Sequence, residues 1–390
     1  MANEELFTNN QYNLTYIGRL SKLLPLIDLK KIIKDDSVKV LSGLGQLEET
    51  DLFFAIKGVF LIVCKNKETI FDECSLIPKP IVIKPYGEFS YFIEDHSARI
   101  QVYLKDDFDM EKLPISGQIL GFTLHQDRRK IFITDFTYPI PLNMSQNTPL
   151  TLQKSTSESQ PNNKICFIAS PEIKDQTETL KLLLSKLMEE KTVTDLVLIG
   201  KFGLNNSRTQ IENLIDLLKS LNVKHHIIPN IGDPTNGLFP LTPINKRIFN
   251  LDATFHSNPA HFTIGQSFQF VPEQSIESIK LYYDRRSTNK ILKNILDGRI
   301  TCPTAPDTLG CLPSKDERFF IDQPIDHIFT ISDELTLENT EDAMMQTLSL
   351  DDNKNSGINI FTLPRFSQTQ KIVFYDCETR EFESYQLEFE

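Results

Sequence analysis

The hydrophobic period of the chain changes twice. In "NLTYIGRLSKLLPLI", residues 13 to 27, Leu14, Ile17, Leu20, Leu23 and Leu24 recur at helical spacing, and the Pro25 ring is placed to end or kink the run. From 35 to 142 the period drops to two: "DLFFAIKGVFLIVCK", then "SARIQVYLK" with Ala98, Ile100, Val102 and Leu104 on one face, then "QILGFTLHQDRRKIFITDFTY", folded by a polar turn. About five short strands over roughly a hundred residues predict a small β-barrel, and strand number and length favour an OB-fold. After a polar stretch the pattern becomes strand "KICFIAS", helix "TETLKLLLSKLMEE", strand "TDLVLIGKF", helix "SRTQIENLIDLLKSL", strand "VKHHIIPN". Such alternation predicts parallel neighbours joined by right-handed crossovers. Ile211, Leu214, Ile215 and Leu218 form the apolar stripe of the second helix, with Ser207 placed to cap it. A further helix is expected around 284 to 297. Closing strands follow near 327 to 333, 357 to 363 and 370 to 376, with a tail strand "ESYQLEF".

These elements divide the chain into a helical segment (1–34), a barrel domain (35–142), a linker (143–163) and an α/β domain (164–390). The linker is assigned because "NMSQNTPLTLQKSTSESQPNN" has too little apolar surface to order itself. A two-domain α+β or α/β protein is the fold class this implies.

Charge changes the picture at one end. Of a net charge of −12, most lies in residues 331 to 390, where 4 basic residues face 13 acidic ones. Apart from "DRRK" at 127 to 130 and Arg285-Arg286 there is no basic run, which disfavours autonomous tight binding to duplex DNA. No stretch reaches the roughly 18 apolar residues of a membrane span, and "MANEELFTNN" is too polar for a signal peptide, so a soluble cytosolic or nuclear protein is expected. The six cysteines form no C-x-x-C pair and read as reduced, mostly buried thiols.

The candidate chemistry centres on Asp233 in "NIGDPTNGLFP", directly after an apolar strand. Strand ends are where an α/β hydrolase converges its metal-holding carboxylates. A two-metal centre needs several Asp, His and Asn ligands at successive strand ends. Here the first strand is followed by Pro171 and Glu172, the second by Gly200 and the cation Lys201, and the third by Ile231-Gly232 before Asp233. His327 precedes its strand, while His225 and His226 point to opposite faces of theirs. The bland reading makes Asp233 a turn former that bonds the backbone two residues on. No G-x-S-x-G elbow, P-loop or H-E-x-x-H occurs, and no metal or cofactor is expected.

Three blocks in order add to this reading: Asp233-Pro234-Thr235-Asn236, the loop "CPTAPDTLGC" with Pro303, Thr304, Ala305, Pro306, Asp307, Thr308, Leu309 and Gly310, and "LPRFSQTQKIVFYD" with Phe366 and Ser367. Together they resemble the B-subunit family of replicative DNA polymerases, most closely its delta-type members. "QYNLTYIGRLSKLLP" looks like the family's opening helix, and residues 116 to 142 look like its last OB strands. The resemblance implies an OB-fold joined to a calcineurin-like metallophosphoesterase sandwich that lacks its metal ligands. It also implies a nuclear, non-catalytic scaffold that binds the cysteine-rich C-terminal domain of the catalytic polymerase delta subunit and a third accessory subunit, with DNA met only indirectly or weakly. The chain departs from the pattern at Gly200-Lys201, where Gly-Asn is usual, and at Ile331-Ser332-Asp333, where Cys-Gly-Asn is usual.

Two other function classes stay open. A metal-dependent phosphodiesterase would need the missing ligands. A single-strand binder would need exposed aromatics beside Lys or Arg on the barrel; Phe92, Tyr103 and Phe132 are the candidates, although alternating strand aromatics are more often core. For Pro303 to Gly310, two prolines suit either a preorganised docking loop or a brace beside the Gly232-Asp233 turn.

Overall fold

In a computed structural model the protein is described over residues 11–35, 37–49, 52–64, 89–142, 164–172, 177–202, 208–282, 286–314, 316, 318–339 and 357–387. The expected linker, Ser207 and Arg285 lie outside the described residues. The chain forms two compact units, residues 1–142 with 274–322, and residues 143–273 with 323–390. Sequence order therefore does not set the units: residues 274 to 322, expected above within a continuous second domain, pack with the barrel.

In the first unit, β1 (Lys39–Val40), β2 (Phe53–Cys64), β3 (Phe89–Glu94), β4 (Arg99–Val102), β5 (Ile119–Asp127) and β6 (Lys130–Thr137) form a sheet in the order β4-β3-β2-β5-β6, with β1 on β2. The sheet curls shut where Tyr103 N–H donates to Ile131 O and Ile133 N–H donates to Tyr103 O, at 2.8 and 3.0 Å. Closure removes the free strand edges that a five-stranded sheet would otherwise expose. Inside are Phe54, Ile56, Phe60, Ile62, Ile93, Val102, Leu120, Phe122, Leu124 and Ile133, the alternate positions of each strand. Ala98, Ile100 and Leu104 pack against them.

The opening helix, Gln11–Leu23, runs into a short 3-10 turn at Leu24–Leu26 that holds Pro25, as its pattern predicts. Its stripe is not the expected one throughout. Ile17 is 49% exposed, whereas Arg19, two residues on, is 5% exposed. Two helices in this unit's second stretch, Gln274 to Tyr282 within Glu273–Tyr282 and Thr288–Gly298, precede the loop at 302 to 310. The first of these was not legible in the sequence.

In the second unit, β7 (Lys164–Ala169), β8 (Val193–Ile199), β9 (Lys224–Ile228) and β10 (Thr254–Phe255) are parallel neighbours. β11 (Ala260–Ile264), β12 (Gln266–Phe270), β13 (His327–Ser332), β14 (Thr336–Asn339) and β15 (Asn359–Pro364) build a second sheet in the order β11-β12-β13-β15-β14. β16 (Lys371–Asp376) and β17 (Phe382–Gln386) extend the first antiparallel, giving β10-β9-β8-β7-β16-β17. One face of that sheet meets the helices Thr177–Glu190 and Arg208–Ser220 through Cys166, Ile168, Leu196, Leu198, Leu187 and Leu214. The other face meets the second sheet through Phe167, Val197, Ile228, Phe268, Phe329, Phe361 and Tyr375. Alternate residues of β7 and β8 thus serve two cores, which is why these strands read as unbroken apolar runs. The hairpin β11-β12 escaped the sequence reading, although Phe262 and Ile264 alternate before Gly265, whose φ of +67° makes the turn, and Phe268 and Phe270 alternate after it.

Candidate functional site

The carboxyl ends of β7, β8, β9 and β15 define the place where a hydrolase would do its work. Asp233 is buried there, and it is not the turn former expected: Thr235 N–H, two residues on, donates at 2.7 Å to the Asp233 main-chain carbonyl, which leaves the carboxylate for other partners. It accepts from Lys201 N–H (3.0 Å) and Phe202 N–H (3.0 Å), which follow β8, and from Asn230 N–H (2.8 Å), which follows β9. These three amides sit just past strand ends, where the ladder no longer supplies acceptors. A side chain at Gly200 would place its Cβ 2.0 Å from Asp233 Oδ2, so only glycine leaves room for the clamp. Burial pushes the Asp233 carboxyl above its ordinary range, against the pull of the three amide donors and Lys201.

The rest of the turn is self-contained. Asn236 Oδ1 accepts from Thr242 N–H at 3.0 Å, its amide donates to Leu238 O at 2.8 Å, and Gly232 and Gly237 take φ of +99° and +73°. Pro234 is exposed and Thr235 half-buried. Ile231 and Leu238 are also left exposed on this turn.

Beside Asp233 lies Glu273, 1% exposed. Its Oε1 accepts from Lys201 Nζ at 2.9 Å and from Asn230 Nδ2 at 3.0 Å, and its Oε2 accepts from Arg365 at 3.1 Å. The other arm of Arg365 pairs with Asp333. Lys201 holds φ at +64°, a left-handed conformation that costs a non-glycine residue about 1 kcal/mol. That backbone is fixed from both sides, by Asp233 and by Glu172 N–H donating to Lys201 O at 3.0 Å.

These residues do not suit a metal centre. Asp233 is committed to three amides, Glu273 to two cations, and the two side chains that follow β8 and β15 are Lys201 and Arg365. A divalent ion placed here would meet like charge rather than a set of hard donors. Among the described residues no group of three His, Cys, Asp or Glu could hold a metal ion. Sequence reasoning found Lys201 and Asp233 but missed Glu273 and Arg365. The available signal was a pair of cations, Lys201 and Arg365, each close behind an apolar run. Of the predicted "RFSQ" residues, Phe366 is buried in the helix-side core, and exposed Ser367 donates its N–H to Ser170 O at 3.2 Å.

The loop Cys302–Gly310 belongs to the other unit. Cys302 to Ala305 and Leu309 are buried, while Pro306, Thr308 and Gly310 are half-buried and Asp307 is exposed. Arg19 donates to Pro303 O at 2.9 Å and to Cys302 O at 3.4 Å. The loop closes on itself through Thr304 O, which accepts from Asp307 and Thr308 N–H at 2.8 and 3.1 Å. Ser278 hydroxyl reaches both Thr304 and Thr308, and Ser275 donates to Thr301 O. Gly117 is close-packed here, since a Cβ would lie 1.9 Å from Pro303 O. Most of the motif is therefore tied into its own unit, and its open part is limited to Pro306, Asp307, Thr308 and Gly310.

A second polar cluster lies between the sheets of the second unit. His226 Nε2 meets Asp195 Oδ1 and His226 Nδ1 meets His256 Nε2, both at 3.2 Å, and Phe262 stacks on His226 with ring centres 6.2 Å apart. Burial, then the neighbouring His226, pulls His256 down to about 4. His225 points to the opposite face and is buried.

Similarity to known proteins extends over both units. A family described as the DNA polymerase alpha/epsilon B subunit matches residues 165–338, and one described as DNA polymerase delta subunit OB-fold domain matches residues 11–135. The OB-fold expectation for the barrel is thereby met. The DNA polymerase delta small subunit of Saccharomyces cerevisiae is 24% identical over 390 residues, 83% of this chain and 77% of that protein. That of Oryza sativa subsp. japonica is 26% identical over 181 residues, 43% of this chain and 40% of that protein, and that of Arabidopsis thaliana 26% over 149 residues, 37% and 32%. The chain thus aligns with less than half the length of either plant relative. A solved structure of hypothetical protein PH1004 from Pyrococcus horikoshii OT3 covers 59% of this chain and 88% of its own at a TM-score of 0.30 and 9% identity, too distant to carry an argument.

Proposed function

Because the chain belongs to the B-subunit family of DNA polymerases, we propose that it is a non-catalytic accessory subunit of a nuclear DNA polymerase delta. It serves there as a scaffold: it holds the cysteine-rich C-terminal domain of the catalytic subunit and a third accessory subunit. Its second unit is a calcineurin-like phosphoesterase sandwich in which ion pairs stand where metal ligands would converge. The observation that carries the non-catalytic reading is the double pairing of Lys201 and Arg365 on buried Glu273. A crevice neutralised by its own side chains has no charge left to assemble a hydrolytic metal pair, but it locks the strand ends into a fixed surface.

Two measurements test the proposal. Co-expression with the C-terminal domain of the candidate catalytic subunit is expected to give a complex that co-purifies through size exclusion; separate elution of the two chains would overturn the scaffold reading. The purified chain, washed free of loosely held ions, is expected neither to retain Mn²⁺ stoichiometrically nor to hydrolyse a nitrophenyl diester. About two ions per chain with metal-dependent turnover would instead make it an enzyme.

A further inference from the structure

The three barrel aromatics that the strand pattern favoured as core all face outward. In β3 the inward residues are Tyr91 and Ile93, which puts Phe92 on the outside; in β6 they are Ile131 and Ile133, which puts Phe132 there; and Tyr103 lies between the inward Val102 and Leu104. The ladder joins these positions into one strip. Phe92 pairs with Gln101 across β3 and β4, Tyr103 bridges to Phe132 where the barrel closes, Phe132 pairs with His125 on β5, and His125 pairs with Phe53 on β2. The rings meet: Tyr103 and Phe132 are 5.9 Å apart, and His125 stacks on Phe53 at 4.6 Å. Phe53 is 45% exposed and the others are half-buried.

Cations are interleaved with the rings. The Arg99 guanidinium lies 4.3 Å from the Phe92 ring centre, and Lys130 Nζ lies 5.3 Å from that of Tyr103. The turn joining β5 to β6 adds the exposed Arg128 and Arg129. Among the described residues of the strip the acids are Glu94, paired with Arg99 at 3.7 Å, and Asp127, against Arg99, Arg128, Arg129 and Lys130, so its described cations outnumber its described acids in a chain of net charge −12. Exposed rings scattered singly need no explanation, but two ring pairs, Tyr103–Phe132 and Phe53–His125, joined by the His125–Phe132 register, with cations set against Tyr103 and Phe92, do.

The geometry points to a binding strip for single-stranded nucleic acid, with bases stacked on Phe92, Tyr103, Phe132 and Phe53 and the backbone held by Arg99, Lys130 and the Arg128-Arg129 turn. Unpaired bases offer flat faces to rings and to a guanidinium plane, whereas duplex DNA hides them. Positive charge disfavours a basic or purely apolar protein partner, and the rings favour a phosphate chain that carries flat bases over an acidic peptide that has none. This goes beyond the accessory-subunit reading and does not rest on it, because the free chain itself would bind.

Fluorescence anisotropy of the full chain with a labelled oligothymidine of about 20 nucleotides tests it. Saturable binding is expected, with log affinity falling against log salt at a slope of roughly −2 for about three phosphates neutralised on a single strand. A duplex of the same length is expected to bind at least about 10-fold more weakly. The double variant Tyr103→Ala/Phe132→Ala is expected to weaken binding by about 5- to 150-fold for each ring that stacks a base. Arg99→Ala/Lys130→Ala, at exposed positions that tolerate change, is expected to flatten the salt slope, and it decides the matter should the aromatic variant fail to fold. Tyr103→Phe is expected to bind like the parent. Absence of saturable binding at low salt, equal affinity for duplex, or unchanged binding by the folded alanine variants would overturn the proposal.

Discussion

The turn after β9 and the loop at 302 to 310 are both rich in proline or glycine, yet they are held by opposite charges. In the first, Asp233 accepts from three backbone N–H groups; in the second, Arg19 donates to two backbone carbonyls. The difference follows from which half of the peptide each segment leaves unpaired. Chains leaving parallel strand ends have amides with no ladder partner, so they take an acceptor. A loop carrying Pro303 and Pro306 has lost two donors, keeps its carbonyls, and takes a donor from elsewhere. Proline and glycine shape a loop, but a charged side chain of the complementary kind fixes it.

The sharpest way to break this comparison is Glu273→Ala, which takes from Lys201 and from one arm of the mostly buried Arg365 the carboxylate they share. A loss of about 3 to 5 kcal/mol in urea unfolding is expected. A change below about 1 kcal/mol would mean that the pairs behave like exposed ones. Next comes Asp233→Ala, which strands three amides and is expected to cost about 3 kcal/mol. Hydrogen exchange at Lys201, Phe202 and Asn230 should rise first. Arg19→Ala is expected to cost about 2 kcal/mol and to speed exchange at Asp307 and Thr308 while leaving the Asp233 turn untouched. If it also loosened that turn, the two anchors would not be independent.

The smallest effect is one of pH. His327 is fully buried, with Nε2 on Gln266 at 2.5 Å and Nδ1 on Asn359 at 3.4 Å, and burial, then Arg380, pulls it down to about 3. Its folded pKa lies below the unfolded one. The unfolded chain therefore binds a proton as pH falls through the ordinary histidine range, and the native protein does not until about 3. Stability contributed by neutral His327, and likewise His256, is present above pH ~6.5 and drains as pH falls toward the folded values. His327→Gln is expected to flatten that decline in pH-dependent unfolding without affecting the response near pH ~8. An unchanged slope would show that other groups set it.

Much of the frame was legible because strands and helices announce themselves by period. β7, β8, β9, the two helices between them and the β5-β6 hairpin lie where apolar runs and turns put them. What stayed hidden depends on partners distant in sequence. Arg19 is more deeply buried than Ile17 because its acceptors, the carbonyls of Cys302 and Pro303, come from positions 283 and 284 residues further along the chain. Glu273 could not be read as part of the strand-end cluster because nothing local distinguishes it from a helix-starting acid. The outward aromatics defied the pattern for a related reason: β3 and β6 carry apolar residues on both faces, so alternation alone could not tell which was the core.

The pairing of Glu273 with two cations also bears on how the crevice could change. Replacing Lys201 by an acid, the first step toward a cation-binding centre, would set a new carboxylate beside Glu273 and Asp233 with Arg365 as the remaining counter-charge among them. Replacing Arg365 first leaves Lys201 as the cation of the cluster still paired with Glu273, beside the Asn230 amide, and takes from Asp333 its partner in that pair. Each path begins uphill, and neither gains an ion's binding energy until several residues have changed together. The network therefore acts as a ratchet: its ion pairs hold one another in place, so no single substitution carries the crevice toward a cation-binding centre.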